Sequence, residues 1–538
     1  MFKFFYVIQR ITVLKSRSPN FRIYEMGVIL LTAIGIIVAL QSMKHHQGII
    51  ENGDSIDLLE ASIEDLQIEL NSGRITSVEL VDFYLNRIEM YDQSGPALNS
   101  IAHINPDARR DAQALDEERQ QSGARGLLHG IPILVKDNYE TLGMPTEAGS
   151  KTLEGYAPDR DAEMVARLRA AGAIILAKTN MHEFAYGIET WGSAFGKTRN
   201  PYDPTRNPGG SSGGTGAAVA ANFAVAGLGS DTCGSIRYPA SHNSLVGLRG
   251  TQGASSRSGI IPLSSTQDIG GPLARSVTDL ALILDFTVGY DPGDPQTAAG
   301  FGRFEGSFLD ELDSLALDGK RIGIVEELRS GGDGDEDVSV VFNKAVLQMR
   351  ELGAEIVFVS LPILVTEITE QINGYYVLVH DFGRDLDSYL SSRPEAPVSS
   401  LDEIIAMELA IPEVQAYLQE SRNIQEYPSE IYLDELAKRD LLKQAIYEVM
   451  AEFNLDALAY PTTKTVAAKI ELQQSENNCQ LSANSGFPAI TVPAGFSEEG
   501  MPVGLELLGR PWDDARLLGM AYAFEKATLH RRAPNLGK

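Results

Sequence analysis

The sequence predicts an α/β fold, with a mixed, mostly parallel, twisted β-sheet covered by helices on both faces. Two observations carry that reading. Short β-rich runs at 131–135, 173–177, 223–229, 321–325, 355–359 and 457–460 are separated by helical stretches such as 162–171. Hydrophobic residues at 43% against charged residues at 22% give a globular balance, enough to bury a large core. The 538-residue chain carries a net charge of −28, which excludes a nucleic-acid binder driven by bulk charge. With only two cysteines, Cys233 and Cys479, a disulfide framework and a cysteine-rich zinc site are excluded as well.

Residues 1–25 form a basic segment, with Lys3, Arg10, Lys15, Arg17 and Arg22 against a single acid, Glu25, and an apolar run at 27–40 follows. That pattern suits a signal peptide or signal-anchor helix over 26–43. It predicts either export to a periplasmic or extracellular location or a membrane tether, with the basic end in the cytoplasm. Initiation at Met26 would remove the basic flank. Residues 44–56, including Lys44, His45 and His46, read as a linker whose histidine pair is solvated. Ser62-Ile-Glu-Asp-Leu opens an N-capped helix, and Thr76-Ser-Val-Glu-Leu continues with apolar residues at helical spacing. The acidic, helix-rich stretch 361–453 lacks the strand–helix alternation and reads as an elaboration packed on the sheet.

The informative segments are Asn207-Pro-Gly-Gly-Ser-Ser-Gly-Gly-Thr-Gly and Gly229-Ser-Asp-Thr-Cys-Gly-Ser-Ile-Arg-Tyr-Pro-Ala. No Gly-Lys-Ser/Thr ending makes the first a phosphate loop, and the dinucleotide spacing is missing. A Gly/Ser turn can instead aim consecutive backbone N–H groups at one point while leaving hydroxyls accessible as nucleophiles. Serine needs a base. His182 lacks the second histidine of an H-E-x-x-H motif and His242 follows Ser241 in a helix-like run, so both read as structural. Lys136 ends the apolar run 130–135, and two readings stand: a partly desolvated amine serving as base, or a lysine emerging into water at a strand end.

Lys136, the Gly209-Gly-Ser-Ser-Gly-Gly block and Asp231-Thr-Cys-Gly-Ser-Ile-Arg-Tyr-Pro-Ala, in that order and spacing, resemble the amidase signature family. The likeness covers about residues 57–532 and includes Lys178-Thr-Asn-Met, Gly247-Leu-Arg-Gly-Thr, Asp268-Ile-Gly-Gly-Pro and Gly504-Leu-Glu-Leu-Leu-Gly-Arg-Pro. It implies one large amidase-signature domain over 57–535, hydrolysing an amide through a Ser-cis-Ser-Lys triad without a metal or organic cofactor. Ser235 would be the nucleophile, Ser211 the relay hydrogen-bonded to both partners, with a cis bond from Gly210, and Lys136 the base. Backbone N–H groups of Thr232, Cys233, Gly234 and Ser235 would bind the oxyanion. Ser212 would support the loop, and Asp231 and Arg237 would pair across the turn, adding rigidity rather than chemistry.

Cys233 and Ser230 depart from the family's commoner residues. Cys233 reads as a small packing thiol rather than a nucleophile. Tyr238 stands where the branch acting on aminoacyl-tRNA typically has Gln, which argues against a tRNA-dependent role. The resemblance therefore implies a stand-alone amide hydrolase with a small-molecule substrate. The alternatives are the glutaminase subunit of a tRNA-dependent amidotransferase and a non-catalytic, membrane-tethered binder. The leaving amine and acyl group would be selected by 361–453 and by residues near Met181 and Tyr186. Tyr375, Tyr376 and Phe382 either line an apolar acyl channel or pack the core, the commoner use of aromatic residues.

Overall fold

The computed structural model describes residues 49–51, 54–329, 336–366, 375–424, 426–475 and 477–537. The basic segment and the signal or anchor helix expected over 1–43 lie outside the described residues. Among those that are described, no helix is long and apolar enough to cross a membrane. The chain divides into two units, Met1–Leu59 and Glu60–Lys538. In the first, Ile49–Glu51 pairs antiparallel with Asp54–Ile56, a short hairpin inside the expected linker.

In the second unit, among the described residues, eleven strands form one sheet: β1 Ile101–Ile104, β2 Pro132–Lys136, β3 Ile174–Thr179, β4 Ala226–Asp231, β5 Val246–Arg249, β6 Ile269–Ala274, β7 Arg321–Val325, β8 Glu355–Val359, β9 Ala457–Pro461, β10 Ala489–Phe496 and β11 Pro502–Leu508. Their spatial order is β8-β7-β9-β11-β10-β5-β6-β4-β2-β3-β1. Four of these pairings are parallel and six antiparallel, so the sheet is mixed but not mostly parallel. Two of the antiparallel pairings follow from the connections. A parallel neighbour needs a crossover of a dozen or more residues, usually a helix. The β10–β11 link is only residues 497–501, and β5 reaches β6 without a helix, so both turn back antiparallel.

Helices flank this sheet. The first two, α1 Ile63–Ser72 and α2 Ser77–Tyr91, each open with a capping box, Ser62 with Asp65 and Thr76 with Glu79, which satisfies N–H groups the helix cannot. The helices further along the chain include α3 Gly213–Ala220, α4 Arg237–His242, α5 Val277–Thr287 and α6 Glu336–Glu351. Of these, α3 packs on β2, β4 and β6, while α4 packs on β5, β10 and β11. A side chain at Gly214 would run into the backbone of Asn180, so only glycine lets α3 settle this close to the chain leaving β3.

The elaboration contains α7 Tyr375–Ser391, α8 Pro412–Asn423 and α9 Glu430–Glu452, and it belongs to the same unit as the sheet. Its two parts pack differently. Leu442, Ile446 and Met450 of α9 bury against Leu458 and Tyr460 of β9. Phe382 and Leu386 of α7 and Leu418 of α8 instead join Ala148, Met181 and Phe184, in the loops that leave β2 and β3. Phe382 is fully buried, with ring centroids 5.9 Å from Phe184 and 4.9 Å from Tyr186, so it fills core.

The register brings the chemistry to one edge. Since β2 runs parallel to β3 and β4, Lys136 at the end of β2, which pairs with Thr179, and Asp231 at the end of β4 emerge on the same side. Because α3 leads back into β4, its N-terminus, preceded by Ser211 and Ser212, reaches that edge too. Ligand sites of open α/β sheets gather at such carboxyl ends.

Candidate active site

Lys136 ends a strand in which all five residues are buried, and its own side chain is fully so. Its Nζ donates to Ser211 Oγ at 2.7 Å, Ser230 Oγ at 2.8 Å and the Ser230 carbonyl at 3.3 Å. Burial pulls its pKa down to about 7, while Asp268 and Asp231 oppose the shift. Near neutral pH this lysine therefore has a free lone pair beside a serine hydroxyl. Of the two readings open in the sequence, the structure places the amine inside the protein.

The Gly210–Ser211 peptide bond is cis. A Cβ on Gly210 would stand 2.7 Å from the Ile188 carbonyl carbon and the Glu189 nitrogen, so no side chain fits there. Ser235 is 4% exposed and its carbonyl accepts from the Ser212 N–H at 3.3 Å. The contact of Ser211 with Lys136 is thus through side chains, whereas Ser235 is tied to the serine loop through backbone. Among the described residues no hydrogen bond joins the hydroxyls of Ser211 and Ser235. Ser212 Oγ donates to the Ser230 carbonyl at 3.2 Å and accepts from the Ser230 N–H at 3.3 Å, fastening the loop to β4.

Among the described residues, the N–H groups of Thr232, Cys233, Gly234 and Ser235 find no acceptor in the protein. The turn that carries them is held from below. Asp231 is fully buried between Arg237, at 3.2 Å, and Arg249, at 3.0 Å, and its carboxylate accepts from the Ile236 N–H at 3.1 Å. Burial alone would raise the Asp231 pKa, but the two guanidiniums outweigh it and hold the carboxylate below its ordinary value. Arg237 also bonds Glu506 and the Cys233 carbonyl, while Arg249 bonds the Asp231 carbonyl. Thr232 Oγ1 donates to Asp268 at 2.6 Å. The ring of Tyr238 lies against Gly234, where any Cβ would meet it, and its hydroxyl donates to Asn477 at 2.8 Å.

Cys233 is not a free thiol. It forms a disulfide with Cys479, 246 residues later, with 5.1 Å between the Cα atoms. Its reading as a packing thiol is thereby corrected, because the fold brings a second sulfur to it that spacing alone does not reveal. His182 donates its backbone N–H to the Ser211 carbonyl at 3.0 Å, but its ring nitrogens have no partner among the described residues. Burial, and after it Lys136, push the His182 pKa down to about 3, and burial pushes His242 to about 4. Both imidazoles are neutral, and neither is bonded to a site serine. Lys178 is also buried, 3.7 Å from Asp137, but it donates to the Tyr139 carbonyl at 2.6 Å and Thr146 at 2.8 Å, away from the serines. Among the described residues no group of three His, Cys, Asp or Glu side chains is placed to hold a metal ion.

Sequence reasoning gave no role to Ser230, Asn138, Arg249, Asp268 or Glu506. Ser230 Oγ accepts from both Lys136 and Asn138 Nδ2, the latter at 3.0 Å, so it helps to aim the amine. A signal existed, since Arg249, Asp268 and Glu506 all lie in segments that carry the family resemblance.

A family profile described as Amidase matches residues 79–518. The chain belongs to the amidase family. It is an amidase-family hydrolase acting on carbon–nitrogen bonds. This amidase is 37% identical to the native peptide amidase of Stenotrophomonas maltophilia, whose crystal structure superposes with a TM-score of 0.83 over 89% of this chain and 99% of that one. It is 36% identical over 503 residues to one of the subunits of the glutamyl-tRNA(Gln) amidotransferase of Ralstonia nicotianae, covering 88% of this chain and 99% of that protein. The corresponding protein of Thermotoga maritima superposes with a TM-score of 0.71 at 28% identity, over 90% of this chain and 100% of that one.

Replacing Ser230 by Ala removes one acceptor from the Lys136 ammonium. A pH profile of turnover should then show kcat/KM about tenfold lower, with the acid limb moved to lower pH, because the charged form has lost a partner. Ser230→Thr keeps the hydroxyl and should restore both.

Proposed function

We propose that this amidase is a stand-alone enzyme that hydrolyses an amide to a carboxylate and ammonia or an amine, through an acyl-enzyme on Ser235. The observation that carries this reading is the buried Lys136 amine, with its pKa near 7, bonded at 2.7 Å to Ser211 Oγ. Ser211 accepts the proton of Ser235 as it passes its own to Lys136, and returns it to the leaving nitrogen; the hydrogen bond between the two serine hydroxyls forms in the substrate complex. The open N–H groups of 232–235 bind the oxyanion. Water then clears the acyl group by the same route in reverse.

A second reading, the glutaminase subunit of a tRNA-dependent amidotransferase, is favoured by the names of the curated relatives. Against it stand Tyr238, the disulfide, and the higher TM-score to the peptide amidase. A glutaminase activity that appears only with partner proteins and tRNA would favour it.

Intact-mass spectrometry after treatment with a fluorophosphonate tests the nucleophile: wild type should gain the adduct mass and Ser235→Ala should not. In steady-state assays, Lys136→Ala and Ser235→Ala should each lose about a thousandfold or more in kcat, while Ser211→Ala loses about a hundredfold because water partly replaces the relay. A fully active Lys136→Ala enzyme would sink the mechanism.

The pH dependence has a definite sign. Lys136 acts as a base only when neutral, so log kcat/KM should rise with unit slope up to about pH 7 and level off above it. A flat profile from pH 5 to 9 contradicts a lysine base.

The basic and apolar N-terminal segments support export or anchoring, and the disulfide fits an oxidising compartment. Fractionation of cells expressing the full chain should find it exported or in the membrane; recovery with the soluble cytoplasm, with both cysteines reduced, rejects that location.

A further inference from the structure

Two links run to the segment 477–480, one from the turn that carries Ser235 and one from α4, which follows it. One is the Cys233–Cys479 disulfide and the other is the Tyr238–Asn477 hydrogen bond. The receiving segment is itself fixed. Asn478 Nδ2 donates to the carbonyls of Pro461, at the end of β9, and Leu328, at 2.7 and 2.9 Å. Cys479 opens α10 Gln480–Ser485, which packs on α9. The disulfide therefore fastens the turn at the end of β4 to the opposite half of the sheet. Cys233 is also the second of the four residues with open N–H groups, and its carbonyl is held from the other side by Arg237. Donors that stabilise an oxyanion must be aimed before the reaction begins, since reorienting them costs part of what they contribute.

We infer that Cys233 and Cys479 are positioning residues: their disulfide aims the N–H groups of Cys233 and Gly234 and the Ser235 side chain, so that the oxidised protein acylates faster than the reduced one. This rests on Ser235 being the nucleophile, as proposed above. Cys233 is partly exposed and Cys479 is 2% exposed, so a dithiol reaches the pair at the Cys233 sulfur. Its thiolate forms a bond to that sulfur as the bond to Cys479 breaks, and Cys479 leaves with the electron pair and takes up a proton. The reagent's second thiol then attacks the mixed disulfide, closes into a cyclic disulfide and frees the Cys233 thiol. Two electrons and two protons pass from reagent to protein.

The test uses the full chain and a fluorophosphonate as the probe. Inactivation is followed by intact-mass spectrometry before and after dithiothreitol, and iodoacetamide counts free thiols. Reduction should lower the maximal labelling rate, kinact, at least about tenfold, with KI changed less than about twofold and the pH midpoint of labelling unmoved. Reoxidation should restore the rate. The double variant Cys233→Ser, Cys479→Ser should label slowly and ignore the reductant. Equal kinact with no free thiols before reduction and two after it overturns the inference. So does a fall in labelling that tracks loss of near-UV circular dichroism, which would make the disulfide a global brace, and so does finding both thiols free before any reductant is added. An oxidised, folded protein that never labels at Ser235 brings down the hydrolase reading, and the inference with it, an outcome separable from the others because it appears before reductant is added.

Discussion

Placing the Lys136 amine at the buried end of β2 removes the water that would otherwise keep it charged, and the chain around it is arranged to live with that loss. A lone buried ammonium is expensive, and a lysine responds by shifting its pKa. Here the shift is only partial, because three oxygens from two serines surround Nζ and two carboxylates, Asp268 and Asp231, act at longer range. The result is an amine able to exchange protons near neutral pH. That property belongs to the strand end as a whole, since the parallel register of β2 with β3 and β4 is what delivers Ser211 and Ser230 to the same point.

Beneath the site, Asp231, Arg237, Arg249 and Glu506 form a buried ionic group in which each charge has an opposite neighbour. Such groups are weak contributors to net stability, because desolvation offsets attraction, but removing one member strands the others. Their value lies in direction. Three of their bonds end on main-chain carbonyls, at Asp231, Cys233 and Gln267, and so set the path of the chain rather than only neutralising charge.

The parts of the fold legible in the sequence were those dominated by burial. The run 131–135 is apolar throughout because β2 is covered on both faces, and 173–177 reads the same way, as does 322–325 after the half-buried Arg321. Among the strands passed over, with β1, β5 and β11, are two whose composition argues against strand: β6 is Ile-Gly-Gly-Pro-Leu-Ala, and β10 carries Pro493 and Gly495 around a register shift. Tertiary pairing overrides propensity there, and with those strands missing the antiparallel centre of the sheet was invisible. In the site, the resemblance pointed to Lys136 and Ser211, which the structure brings into contact. Ser230 stood out in the sequence only as a departure from the family's commoner residue, because its role depends on the fold that turns it toward Lys136. The disulfide escaped because it joins points 246 residues apart.

The order of strands also has a consequence for how the chain is made. Two all-parallel triplets, β8-β7-β9 and β4-β2-β3, stand on either side of an antiparallel centre, and β10 and β11, the strands that join the halves, are the last to be synthesised. At ordinary translation rates the edge of β5 waits on the order of tens of seconds for β10 to appear. An open strand edge is a template for aggregation, and β5 limits that exposure by being only four residues long with a glycine inside it. The seam of the sheet is therefore both its latest-formed part and, by the shortness of β5, the part least able to pair with another chain while it waits.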